Sequence, residues 1–243
     1  DAVNQSTGLS NGWWQTSTFY HIWVKSFAHS SDDGATATEV TDGSIGNFDG
    51  ITAKLGYIKD TLGCDTIWLS PIFECNYGSS DSSELISTNM HGYDITDYYS
   101  VNEKYGTEDD LVQLINAAHA KGMKIIFDFV PNHTSDQNQW FINSKNKKTV
   151  DDIDFTSWYL WNSTQLYWDP MGSTSTWYYD STRKQYYYAP FSSSMPDLNY
   201  NNTHVKSEMK NVIRYWLAKG FDGLRADAVI YLMETDSQYI NTS

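Results

Sequence analysis

Residues 124–133 run Lys124-Ile125-Ile126-Phe127-Asp128-Phe129-Val130-Pro131-Asn132-His133. Apart from Asp128, the run from Ile125 to Val130 is apolar at every position. A segment apolar at odd and even positions alike suits a strand covered on both faces, as in a parallel sheet. Polar residues then crowd its end, where Asn132 and His133 follow Pro131. The carboxyl ends of parallel strands are where α/β folds assemble their sites.

Three more runs of this kind lie along the chain: Phe19 to Val24, Thr66 to Leu69 and Phe221 to Arg225. Helical periods fill the intervals. Ile51, Leu55, Ile58 and Leu62 recur at helical spacing before Gly63. Thr107 can cap a second helix, lined by Leu111, Leu114, Ile115 and Ala118 and stopped by Gly122. Thr203 can cap a third, with Val205, Met209, Ile213, Trp216 and Leu217 inward and Gly220 at its end. Alternating strands and helices are the grammar of α/β folds. One stretch breaks it. From Thr134 to about Tyr200 no period holds, and residues 158–191 are crowded with Trp and Tyr. A structureless loop of that length inside a domain is improbable, so the stretch is expected to form a small inserted subdomain. Four strands satisfy a doubly wound sheet or half of an eight-stranded barrel, and the pattern alone leaves both open.

Composition narrows the function. The 243 residues are 40% hydrophobic and 16% aromatic, with 10 Trp and 18 Tyr. Aromatic rings with polar handles suit both burial and stacking on the CH faces of sugars. A net charge of −14 argues against nucleic acid and anionic membrane surfaces as partners, while a neutral polymer is unaffected. No apolar run approaches the roughly 20 residues that span a bilayer. The polar segment from Asp1 lacks a Met and reads as a mature terminus after signal removal, which predicts secretion. Cys64 opens a strand and Cys75 lies past its far end, roughly 20 Å away, too far for a disulfide.

The chemistry concentrates at three places. These are His91-Gly92-Tyr93-Asp94 on the loop after the second strand, Asp128 to His133 on the third, and Gly223-Leu224-Arg225-Ala226-Asp227 on the fourth. Side chains two apart on a strand share a face, so Arg225 is expected beside Asp227, depressing its pKa and keeping it ionised. A positioned, ionised Asp is what covalent glycoside hydrolysis requires. An Arg-x-Asp alone is usually a strand-end ion pair, Asp128 alone reads also as a satisfied core carboxylate, and His133 alone is more often a cap or loop residue. The joint appearance on successive βα loops favours a site.

These motifs resemble glycoside hydrolase family thirteen, the α-amylase family. FYHIWVKSF and GCDTIWLSPIF are similar to its first two strands, and HGYDITDYYSVNEKYGT to its following loop. DFVPNHTSD and GFDGLRADAV are similar to two of its signatures, and Met195 to Asn199, MPDLN, to a short motif near the end of its inserted domain. The resemblance implies a (β/α)8 barrel, with residues 1–133 as its first part, 134–200 as an inserted domain B, and 201–243 continuing the barrel. It implies Asp227 as nucleophile with Arg225 beside it, Tyr93 and His133 lining the sugar subsite, Asp94 binding a terminal glucose, and Asp128 holding the Arg. An α-1,4-glucan such as starch, glycogen or a malto-oligosaccharide is the implied substrate, and MPDLN favours an endo-acting amylase over a maltase. An α-glucosidase, neopullulanase or transglycosylase on the same scaffold is the enzymatic alternative. A glucan-binding or protein-partner homologue without activity is the other.

The family's acid, a Glu after strand five, and a further Asp after strand seven are expected beyond Ser243, so the second half of the barrel is expected in the same polypeptide or in a second chain. Glu234 reads as a solvated surface residue. No organic cofactor is implied. Calcium is implied at two places, one using Asp42, Asn47 and the Ile45 carbonyl, the other Asn132 and Asp197, although Tyr231 stands where the second has a His. Sequons at Asn4, Asn162, Asn201 and Asn241 fit secretion or chance in an Asn-, Ser- and Thr-rich chain.

Overall fold

A computed structural model describes residues 12–32, 34–40, 44–76, 91–167, 172 and 175–233. Asp42, Glu234 and the sequons at Asn4 and Asn241 lie outside the described residues. Four strands, β1 (Phe19–Ile22), β2 (Thr66–Leu69), β3 (Lys124–Phe129) and β4 (Gly223–Ala226), form one parallel sheet in that order. Trp68 lies opposite both His21 and Ile126, and Asp128 opposite Arg225. On β3 the alternation separates two tasks: Ile125, Phe127 and Phe129 enter the hydrophobic core, while Ile126 and Asp128 point to the other face.

The first strand is shorter than its apolar run. It stops at Ile22, and Val24–Phe27 turn into a short helix that buries Val24. The carbonyls of Lys25 and Ala28 accept from Gly46 N at 2.7 Å and Asn47 N at 3.0 Å, so the turn docks the loop before the next helix.

Three helices cover the outer face: α1 (Phe48–Gly56), α2 (Glu108–Ala120) and α3 (Thr203–Ala218). α1 does not run regularly to Gly63. Residues Tyr57–Thr61 widen into a π-helical turn, which carries Leu62 off the apolar line and leaves it exposed. The second helix matches its sequence pattern, with Thr107 in a reciprocal capping box with Asp110 and Leu111, Leu114, Ile115 and Ala118 buried. The third differs in two ways. Asn202, not Thr203, is the cap, its side chain accepting from His204 N at 2.8 Å. Its buried line is Val205, Met209, Val212 and Trp216, with Leu217 exposed, because steps of four, three and four residues hold one face whereas adjacent residues diverge by about 100°.

Between β2 and α2 lies an antiparallel hairpin that the apolar runs did not mark, Phe73–Cys75 with Ile95–Val101. Its Tyr98 is buried against Phe73 and Trp140, and the Trp216 indole N–H donates to the Tyr98 carbonyl at 2.8 Å. Both cysteines are free and buried.

Between β3 and α3 the chain forms a helix (Gln139–Lys145), a small hairpin (Thr149–Val150 with Ile153–Asp154) and a three-stranded antiparallel sheet of Trp161–Asn162, Gln185–Tyr188 and Trp177–Asp180. Aromatic contacts dominate this region. Phe141 stacks on Trp161 at 5.5 Å, and Arg183 covers the same indole at 4.3 Å while donating to the carbonyls of Ser144 and Thr156. Asn162 and Asn201, the described sequon residues outside the signature segments, stand on an edge strand and on the turn before α3.

Candidate active site

The site grows from the carboxyl ends of β3 and β4 and the loop that ends in Tyr93. Asp128 and Arg225 are register partners on adjacent strands, so their side chains meet without any loop to position them. Arg225 Nη1 donates to Asp128 Oδ1 at 2.9 Å and lies 3.2 Å from Oδ2. The same nitrogen donates to Asp227 Oδ1. Two residues beyond Arg225, Asp227 leaves the sheet edge but keeps its face, and its backbone N–H still donates to Phe129 O at 2.8 Å. The Tyr93 hydroxyl donates to Asp128 Oδ2 at 3.1 Å.

Burial grades this cluster. The Asp128 side chain is 0% exposed, that of Asp227 18% and that of Arg225 37%. Burial pushes the Asp128 carboxyl up to about 6, with Arg225 and Tyr93 opposing and the neighbouring Asp227 charge adding to the rise. Burial works against the Arg225 charge too, but Asp128 and Asp227 outweigh it and hold the guanidinium's pKa above its usual value.

Three tyrosine hydroxyls fix the turn after β3. Tyr98 OH lies 2.8 Å from Val130 O and 2.7 Å from His133 O, Tyr200 OH donates to Pro131 O at 2.7 Å, and Tyr159 OH pairs with Thr134 Oγ1 at 2.7 Å. The MPDLN segment then runs antiparallel to this turn. Leu198 N donates to Asn132 O, Thr134 N to Pro196 O and Asp136 N to Ser194 O. His133 is thereby enclosed, with Phe191 5.1 Å from its ring. Burial lowers the imidazole to about 4, with Asp227 partly opposing, so the ring is neutral near pH 7.

Asp94 follows Tyr93 and is 4% exposed. Its Oδ1 is buried without a hydrogen-bond partner among the described residues. Burial pushes this carboxyl up to about 7. Tyr93, Asp128, His133, Arg225 and Asp227 thus form one cluster, and Asp94 adjoins it. Sequence reasoning did not single out Trp68, whose indole faces Arg225 at 5.2 Å, or the three tyrosines around the turn. Trp68 could have been found from strand parity, since it shares its face with Thr66 as Arg225 does with Asp227.

At the first expected calcium place, Asp42 lies outside the described residues and the other two oxygens have partners within the fold. Asn47 Oδ1 accepts from Gly50 N at 2.8 Å and Ser30 N at 3.0 Å as the cap of α1, and the Ile45 carbonyl accepts from His29 Nδ1 at 2.9 Å. Both oxygens thus accept hydrogen bonds that fix the start of α1 and the loop before it. At the second place the backbones carrying Asn132 and Asp197 run side by side, with His133 bridged to Asp197 and Leu198 N donating to Asn132 O at 2.9 Å. Asn132 and Asp197 remain two side chains, and no group of three or more His, Cys, Asp or Glu residues with metal-holding geometry occurs among the described residues.

The description "Alpha amylase, catalytic domain" matches residues 21–242. The chain belongs to the α-amylase catalytic-domain family. It is similar to Maltase A1 of Drosophila melanogaster, at 38% identity over 94% of this chain and 37% of that protein. It is similar to Alpha-amylase 3 of Dictyoglomus thermophilum, at 36% identity over 96% of this chain and 40% of that protein. Among solved structures, the trehalose-6-phosphate hydrolase TreA of Bacillus licheniformis superposes with a TM-score of 0.76 at 32% identity, over 95% of this chain and 38% of that one. The chain spans less than half the length of the curated relatives it matches. Its fold is that of the α-amylase family's (β/α)8 barrel, of which it carries four adjacent parallel strands. No helix among the described residues is long and apolar enough to cross a membrane.

Proposed function

We propose that the protein is a retaining glycoside hydrolase in which Asp227 attacks the anomeric carbon of an α-glucoside. The observation that carries this reading is the single Arg225 nitrogen shared between buried Asp128 and more exposed Asp227. That arrangement holds an oriented carboxylate at the open side of the cluster. A covalent glycosyl ester forms as the glycosidic bond breaks, an acid contributed from outside this cluster protonates the leaving oxygen, and water releases the sugar. Tyr93 offers a ring for stacking on the sugar, and the enclosed, neutral imidazole of His133 backs the cluster. Asp128 orients Arg225 and does not touch substrate. Residues 134–200 act in this reading as a domain B that walls the site through its MPDLN strand. Asp227→Asn in the full-length protein is expected to abolish starch and maltose hydrolysis alike; unchanged turnover of both refutes the assignment.

Within this class, MPDLN supports an endo-acting α-1,4-glucan hydrolase. The unpartnered Asp94 carboxylate supports a second reading, an exo-acting α-glucosidase in which Asp94 takes the hydroxyls of a chain-end glucose. Products separate the two: short oligosaccharides released early from starch mark the first, and glucose alone from the outset the second. Replacing Asp94 with Ala raises KM for maltose much more than for long glucans only under the exo reading.

A further inference from the structure

The cluster has a floor that the proposed chemistry does not use. On the inner face of the sheet, directly across from each other on β1 and β2, the rings of His21 and Trp68 stack with centroids 3.8 Å apart and planes 13° from parallel. His21 Nε2 is tied to Ser70 Oγ at 2.8 Å, which fixes the imidazole's rotation. The Trp68 ring lies 5.2 Å from Arg225 Cζ. In the sheet order β1-β2-β3-β4, His21 approaches the indole from one side and Arg225 from the other. Alternate strands supply the side chains of one layer inside a barrel, which is why residues of β2 and β4 meet over β3.

The recorded ion pairs of Arg225 all run through one nitrogen, Nη1. Bonds at one corner leave a planar guanidinium free to pivot about it. A flat π surface beneath removes that freedom, and the ring quadrupole favours the cation there. The Trp68 Nε1 atom is buried without a hydrogen-bond partner among the described residues, so the ring and not its N–H is what this position contributes here. Burial and the Arg225 charge both lower the pKa of His21, consistent with a neutral ring that backs the indole without repelling the guanidinium.

We propose that Trp68 is a positioning residue: its indole, stacked on His21 and facing Arg225, fixes the guanidinium against which Asp227 is held. This inference rests on the reading of Asp227 as nucleophile. Trp68 touches neither substrate nor reacting atoms and acts only through Arg225.

The test uses the full-length protein with Trp68→Met, which keeps an unbranched apolar filling, and Trp68→Phe, which keeps an aromatic face. A cation–π contact of ordinary strength corresponds to a loss of about tenfold in kcat for Trp68→Met, with KM changed by less than about twofold. Trp68→Phe, which keeps the aromatic face, is expected to restore most of the rate. A purely structural role lowers the melting temperature in both variants while the folded fraction of each keeps its kcat, and that result overturns the proposal. Should Trp68→Met fail to fold, His21→Leu removes the backing ring and is expected to lower kcat with KM little changed; an unchanged kcat in that folded variant is equally decisive against it. An inactive Asp227→Asn beside a fully active Trp68→Met defeats only the positioning role, whereas an active Asp227→Asn defeats the nucleophile reading and this inference together.

Discussion

Asp94 and Asp128 are both buried carboxylates at the mouth of the sheet, but only Asp128 has a cation beside it. Burial raises both above the ordinary value of 3.8, Asp94 to about 7 and Asp128 to about 6. A carboxyl whose folded pKa is raised binds its proton more tightly in the fold than in the unfolded chain. Its ionisation therefore weakens the fold as pH rises from about 4, and for Asp94 the full penalty is reached above about 7. Asp94→Asn is accordingly expected to raise stability by roughly 1–3 kcal/mol at pH 8 and by almost nothing below pH 4, measured by denaturant titration across that range. A gain independent of pH would show that the carboxylate is solvated. Asp128→Asn should act in the opposite sense at neutral pH, since it removes the buried one of Arg225's two carboxylate partners, and is expected to destabilise by about 1–3 kcal/mol and to lower kcat. Asn47 gives a sharper contrast with the cation expectation. Asn47→Ala should cost about 1 kcal/mol through loss of the α1 cap, equally with added calcium and with a chelator; a loss that appears only with calcium would support the metal reading.

At the scale of elements, the four parallel strands were legible because burial on both faces demands a run of apolar residues, and Asp128 stood out within one of them. The pairing of Arg225 with Asp227 was legible from strand parity, whereas Asp128 beside Arg225 depends on the register of two strands and came only from the family resemblance. What escaped were features set by tertiary partners. The Phe73–Cys75 and Ile95–Val101 hairpin alternates buried and exposed positions too irregularly, through two register shifts, to show a period of two. The cap of α3 fell one residue early because Asn and Thr are both good caps, and only the turn at Asn199 to Asn202 decides between them. Asn202→Ala is thus expected to lower stability by about 1 kcal/mol while Thr203→Ala costs less than half of that, a difference that thermal melts resolve.

For the molecule as a whole, the −14 charge of these residues sets how it meets a polymer. A neutral glucan feels no such field, so raising the salt is expected to leave KM for malto-oligosaccharides within about twofold, whereas a carboxylated glucan should bind better as screening increases. A KM for neutral substrate that shifts strongly with salt contradicts that account. The opposite end of the sheet holds a different kind of knot. Asp222, just before β4, accepts from Lys124 Nζ at 2.6 Å, His119 Nε2 at 2.8 Å and Ile125 N at 3.0 Å, joining the start of β4 to the end of α2 and the start of β3. Residues 126–221 lie between Ile125 and Asp222, and the aromatic sheet and the MPDLN segment are both within them. Closing so long a loop adds little to the equilibrium cost, about 0.6 kcal/mol per doubling of length, but contacts so distant in sequence form slowly. During synthesis β1, β2 and β3 can zip while β4 waits for the whole intervening segment to emerge. The strand that carries Arg225 is therefore the last of the four to emerge, and Asp128 meets its cation only after the whole intervening segment has been made.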